Sequence, residues 1–293
     1  MRRFLIICLA AVFTLPAADA NTIFWKKKKD KTEKKEKKLS KYEKLFKDKK
    51  VETSKGLLTL HFVDKKKLLV EFPVSLMGRE FLLGSKVVET SDMGNGPAGT
   101  MSYTPRHIKF AVVDSTLYMK EVSRTGQNMI FSSSANQNMQ EGLKKNSLST
   151  IVDAFTIAAF NKDSSAVVVD MTSYFVSHTE NMNPFSSGKR TMEYGSGRQA
   201  VKFKDDLSYL MGVKAFEDNV SIISKLTYLM NLSVGGQLVS VDEPVSITVN
   251  RTLLLLPEKP QMRPRLADPR IGIGTVAMEN MGTEVDGSRM EHR

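Results

Sequence analysis

The 293-residue chain carries one cysteine, Cys8, placed in an apolar stretch near the N-terminus. The rest of the chain has no thiol, which excludes disulfides and thiolate metal sites there and leaves the fold to rest on a packed core. Histidine is nearly as scarce: His61, His107, His178 and His292 lie far apart in sequence. The His-Glu-x-x-His spacing that sets two imidazoles on one helix face for zinc does not occur. Neither a G-x-S-x-G nucleophile elbow nor a G-x-x-x-x-G-K-[ST] phosphate loop occurs either. Long hydrophobic runs are missing too. The N-terminal run from Phe4 to Leu15 falls short of the roughly 20 apolar residues a bilayer crossing needs. No period of 20 to 50 residues recurs, which argues against a solenoid or propeller.

What the short run does support is export. Arg2 and Arg3 precede it, and Ala18-Asp19-Ala20 closes it with the small-x-small pattern read by signal peptidase. Residues 1–20 are therefore expected to be a signal peptide cut between Ala20 and Asn21, giving a periplasmic or extracellular product. Cys8 precedes that cut and is not placed for lipidation. The formal net charge of +11 is concentrated between Lys26 and Lys50, which hold 14 lysines against 5 acidic residues. Blocks of like charge with few apolar residues read as a flexible linker over 21–51. Its expected partner is an anionic envelope surface; nucleic acid is not expected, because no stacking aromatics are interleaved. Lysines so soon after a signal also work against translocation.

Beyond the linker the pattern is mainly antiparallel β with a few short helices. Tyr42, Leu45 and Phe46 fall at helical spacing and predict a short amphipathic helix over 40–48. Leu58, Leu60 and Phe62 alternate with polar residues, Asp64 to Lys66 make a turn, and Leu68, Val70 and Phe72 alternate on the return. That is a hairpin with one apolar face per strand, His61 lying on the polar side. Further strands are expected at 80–89, at 108–112 with 117–119, at 150–160 with 166–170, and at 210–215, 220–231 and 245–256. Residues 181–198, polar and rich in Gly and Ser, read as a long loop. The domain scheme that follows is a hairpin module over 52–105, an antiparallel β domain over 106–260 and a connector over 261–293.

The remaining candidates for chemistry are weak. Gly94-Asn95-Gly96-Pro97-Ala98-Gly99 matches the dinucleotide fingerprint by letter, but no helix follows to receive a pyrophosphate, and an inter-strand loop is expected. His178-Thr179-Glu180 is the only local pairing of a histidine with a carboxylate, and reads as an ordinary loop feature. Asp205 and Asp206 are adjacent, so on a strand they face opposite sides. No catalytic, cofactor-binding or metal-ligating residue is assigned.

Several segments nevertheless carry a family likeness. KYEKLF at Lys41 to Phe46, KGLLTLHFVDKKKLLVEFP, SLMGREFLLGSKV, KAFEDNVSI and LLLLPEKPQMRPRLADPRIG follow one another over residues 41–272. In this order the chain resembles the N-terminal, non-catalytic region of a family of large secreted bacterial zinc-dependent metalloproteases. The resemblance implies that zinc belongs to a downstream His-Glu-x-x-His domain absent from this chain, and that this chain is not itself an enzyme. It implies an accessory region that folds against a protease domain, in cis or in trans, or presents substrate to it. The competing expectation is a stand-alone binding or structural protein of the cell envelope, tethered by its lysines. Within the connector, Arg263, Pro264, Arg265, Asp268, Pro269 and Arg270 are the expected docking residues. The prolines stiffen the backbone, and Asp268 is able to take a guanidinium bidentately.

Overall fold

The fold is given by a computed structural model that describes residues 39–94, 96–101, 103–123, 129–130, 137–179, 182–185, 197–259, 261, 268, 270, 277–280 and 289–292. The signal segment with Ala20 and Asn21, most of the lysine run, and connector residues Arg263, Pro264, Arg265 and Pro269 lie outside these. Fourteen strands appear among the described residues. In chain order they are β1 (Val51–Lys55), β2 (Thr59–Val63), β3 (Lys67–Pro73), β4 (Glu80–Thr90), β5 (Arg106–Val113), β6 (Thr116–Glu121), β7 (Met129–Ile130), β8 (Thr150–Phe160), β9 (Ala166–Asp170), β10 (Gly197–Ala215), β11 (Asn219–Val234), β12 (Gln237–Leu255), β13 (Ala277–Asn280) and β14 (Arg289–His292). Three helices accompany them: α1 (Lys41–Phe46), α2 (Gln137–Asn146) and α3 (Thr172–Phe175).

Eleven strands form one sheet in the order β1-β2-β3-β9-β8-β6-β5-β4-β12-β11-β10, and every neighbouring pair is antiparallel. The mainly antiparallel β class expected from the alternation is thus what the chain adopts. Strands from 51–90 and from 106–255 interleave in this sheet, with β3 beside β9 and β4 between β5 and β12. The sheet curls. Leu58, Leu60, Val70, Phe72, Phe81, Ile108, Phe110, Leu117, Val167, Ile222 and Leu253, drawn from both ends of the strand order, meet in one core. Phe72, Phe81 and Phe110 form its aromatic centre with ring centroids 4.6 to 5.9 Å apart.

The turns explain themselves locally. Asp64 and Lys65 adopt positive φ between β2 and β3, and Asp114 does so between β5 and β6; aspartate tolerates that region through its short hydrogen-bonding side chain. Gly235 and Gly236, with φ of 61° and 82°, close the β11–β12 hairpin as a two-residue loop. Of the GNGPAG stretch, Gly96 to Gly99 lie between β4 and β5 with Gly99 N–H donating to Val87 O, and Asn95 lies outside the described residues. β10 and β12 are much longer than their apolar alternation indicated, β11 extends the expected 220–231 by only four residues, and β10 begins inside the stretch read as a loop. The outer half of β10, GRQAVKFKDD, carries two lysines and two aspartates, so local propensity is low there and pairing with β11 holds it extended.

The β2–β3 hairpin departs from the one-sided pattern. Leu60, Phe62, Val70 and Phe72 face the core, while Val63 and Leu69, joined by Val168 of β9, form a second cluster on the outer face. Helix α1 covers that cluster with Tyr42, Leu45 and Phe46. Ser40 starts the helix with a capping box: Glu43 N–H donates to Ser40 Oγ, and Ser40 N–H donates to Glu43 Oε2.

Candidate functional site

His61 shows how the outer cover changes the chemistry of a residue. It is buried at 6% exposure rather than lying on an open polar face. Its Nε2 lies 2.9 Å from Glu71 Oε1 and its Nδ1 2.9 Å from Thr53 Oγ1. The Tyr42 hydroxyl donates to the same Glu71 oxygen, and the Phe46 ring sits 4.7 Å from the imidazole. Burial, followed by the hydrogen bond to Glu71 and that carboxylate's charge, pushes the Tyr42 hydroxyl up to about 12. The network satisfies groups that α1 would otherwise bury unpaired, and it fixes the helix in place. His107 instead bonds Glu80 Oε2 at 2.8 Å across β4 and β5. His178 stacks near Phe203 and meets the Tyr228 ring edge-on, while Glu180 lies outside the described residues.

Arg251 is the least expected feature. On β12 the inward row runs Val245, Ile247, Val249, Arg251, Leu253, so a guanidinium takes an interior position with 0% exposure. It lies where one apolar cluster, with Val249, gives way to the next, with Leu253. Nη1 donates to Tyr174 O (3.1 Å) and Phe175 O (2.9 Å), and Nη2 to Ser177 O (2.9 Å). Ser224 of β11 adds a bond to Phe175 O. Burial lowers the pKa of the guanidinium, yet the carbonyls at the end of α3 solvate it. α3 is thereby fastened into the curl of the sheet. A second inward arginine, Arg106, pairs with Glu121 at 2.6 Å. Both charges lie close enough to Tyr174 to pull its pKa down, but burial outweighs them and holds it at about 12.

Two clefts open beside this framework. One, of about 680 Å³, lies where α3 meets β8 and β10, with Asp153, Phe155, Asp170, Ser177, Phe203 and Asp205 on its walls. Asp170 is already engaged with Thr172 N–H and Oγ1, and Asp206 pairs with Lys204. Among the described residues no group of three His, Cys, Asp or Glu side chains is placed to hold a metal ion. The second cleft, of about 390 Å³, lies between β1 and β10, the two edges of the eleven-stranded sheet. Those edges touch at one end, where Leu57 N–H donates to Phe216 O (2.6 Å) and Ala215 N–H to Ser54 Oγ (2.9 Å). Only glycine fits at position 56, since a Cβ there would stand 2.3 Å from Phe216 O. Away from that pinch the edges part around Glu52, Thr53, Met211, Gly212 and Lys214.

In the connector, Arg270 bonds Asp268 bidentately, Nε to Oδ1 at 3.0 Å and Nη2 to Oδ2 at 2.7 Å. That hydrogen bonding holds the Asp268 carboxyl below its usual range.

Residues 99–292 match the family described as "Domain of unknown function (DUF5117)". The chain belongs to the DUF5117 family. Residues 39–90 match a second family, "Domain of unknown function (DUF5118)". No match is found among curated proteins or solved structures. The DUF5118 segment supplies α1 and β1 to β4, and the DUF5117 segment supplies β5 to β14. They build one sheet together, and the cleft between β1 and β10 lies where the free edge of one segment faces the free edge of the other.

The sequence held signals for α1 and for the hairpin faces, but not for Arg251 or the cleft. A lone arginine in an otherwise apolar alternation, VSITVNRTLLLL, was the available signal for the former. The cleft joins residues about 160 positions apart, such as Ser54 and Ala215, and local patterning does not report such a pairing.

Proposed function

We propose that this DUF5117 chain is an exported accessory, non-catalytic region of a zinc-metalloprotease-like protein, which folds against a protease domain and holds polypeptide for it. The observation that carries the reading is a row of large apolar side chains on the outer face of edge strand β10. Leu207, Tyr209 and Met211 are each about half exposed, and Phe216 beyond the strand's end continues the exposed apolar surface. Exposed apolar rows of this kind mark interaction surfaces. The connector leaves from the end of β12, separated from β10 by β11, so a domain following it is within reach of the same face. The order of matching segments along 41–272 supports the identity of that domain.

The test is to mix residues 39–293 with a separately expressed His-Glu-x-x-His domain from a longer protein of the resembled family. Stable association by sedimentation is expected, weakened roughly tenfold or more, equivalent to at least about 1.4 kcal/mol, by the double substitution Leu207→Asp, Tyr209→Asp. An unchanged mixture of separate species would overturn the reading.

A further inference from the structure

The two edges of the large sheet point the same way. Ten successive antiparallel pairings link its eleven strands, so the first, β1, and the last, β10, run parallel to each other. A curled antiparallel sheet with an odd number of strands leaves this mismatch at its seam, and one more strand, antiparallel to both edges, resolves it. We propose that the cleft between β1 and β10 receives an extended segment of another, unfolded polypeptide, which inserts as the twelfth strand and pairs with both edges at once. The inference rests on the reading of the chain as a polypeptide-handling module, and names the site that does the handling.

Four observations converge on this occupant. Among the described residues β1 pairs only with β2 and β10 only with β11, so each edge turns a row of main-chain donors and acceptors toward the gap. The gap is pinched shut at Ser54–Ala215 and Leu57–Phe216 and has a volume of about 390 Å³, which fits a short stretch of chain. Ser54 belongs to the pinch, so the opening runs along Glu52 and Thr53 and, at about 3.3 Å per residue, accepts about two residues. Its lining combines apolar Phe62, Val213 and Ile223 with charged Glu52, Lys65 and Lys214. Lys65 stands 3.9 Å from Glu52, whereas Lys214 has no ion-pair partner among the described residues, so an acidic residue in the incoming segment is favoured opposite it. Finally, β10 carries a register shift between Leu210 and Gly212, at the mouth of the gap. A bulge there interrupts regular pairing and re-aims the edge.

The experiment uses residues 39–293 and β-casein, an acidic unfolded polypeptide, with no protease domain present, so that its result is independent of docking. Fluorescence anisotropy measures binding, and amide hydrogen exchange locates it. Backbone pairing on both sides predicts slowed exchange at Glu52 and Thr53 and at Met211 to Lys214 together, Ala215 N–H being already bonded to Ser54 Oγ in the free chain. Gly212→Trp tests the cavity directly, because a Cβ at Gly212 meets nothing within 4 Å and the indole has room to enter the gap. It is expected to weaken casein binding roughly tenfold or more. Gly142→Trp on α2, equally free of neighbours at its Cβ, leaves binding unchanged. The proposal is overturned if casein does not bind, if slowed exchange appears on one edge only or elsewhere, or if Gly212→Trp folds and binds as the parent does. It is overturned equally if both edges are already protected in the free chain, since a segment of the protein itself then fills the seam. Should Gly212→Trp fail to fold by circular dichroism, the exchange pattern of the unsubstituted chain decides alone.

Discussion

Arg251 concentrates the unusual energetics of this molecule in one side chain. Its three bonds to backbone carbonyls compensate the cost of a buried charge; without the guanidinium, Ser177 O would lose its bond, and Tyr174 O and Phe175 O would keep only those from the hydroxyls of Ser177 and Ser224. Arg251→Met is expected to destabilise the protein by about 1–3 kcal/mol, the range for one buried group left unsatisfied. Arg251→Lys should recover less than half of that, because one ammonium does not span carbonyls that a planar fork reaches together. Urea denaturation of the two variants measures both. Tyr174 makes a second residue-scale prediction. Its folded pKa of about 12 stands above the ordinary value of 10.0, so the folded state binds its proton more tightly. The stability it contributes is complete below pH 10 and is lost as the pH rises toward 12. Tyr174→Phe should therefore flatten the alkaline decline by on the order of 2–3 kcal/mol across that window, read from urea midpoints between pH 9 and 12. Tyr42 titrates in the same range but is present in both proteins and cancels in the comparison.

At the scale of elements, α1 matters beyond its six residues. It turns the hairpin and β9 into strands buried on both faces, and it encloses the Tyr42–Glu71–His61–Thr53 network. Phe46 packs on both Tyr42 and His61, so Phe46→Ala should loosen the helix. The expected loss is about 2–4 kcal/mol, toward the low end for large aromatic truncations because Phe46 is only partly buried. Faster amide exchange confined to α1 and β1, with β11 and β12 unaffected, would distinguish detachment of the helix from general unfolding. The amphipathic spacing of Tyr42, Leu45 and Phe46 made α1 legible in the sequence, as alternation did for β2, β3, β5, β6, β8 and β9. β1 was not legible, because VETSK has neither alternation nor a turn on its own account; it is a strand because β2 offers it an edge. The outer halves of β10 and β12 escaped for the same reason, and His61 was placed on an open face because nothing local says that a helix will return to cover it.

For the molecule as a whole, the two family segments share one sheet, and the features most relevant to function lie where they meet. The half-exposed row on β10, the pinch at Gly56 and the seam beside it all depend on which strands come last in the order. Strand order is a long-range property, set by which edges find each other after hairpins have formed, and eleven strands permit many orders with the same local patterns. By itself the sequence determined the β class, the hairpin turns at Asp64 and Asp114, the amphipathic helix and the inward rows, because each depends on neighbours a few residues apart. Only the tertiary structure decided that Arg251 would be solvated by the carbonyls of α3, that His61 would be buried, and that an odd number of strands would leave two parallel edges facing across a gap. Those outcomes depend on contacts between distant parts of the chain, whose energies no local pattern encodes.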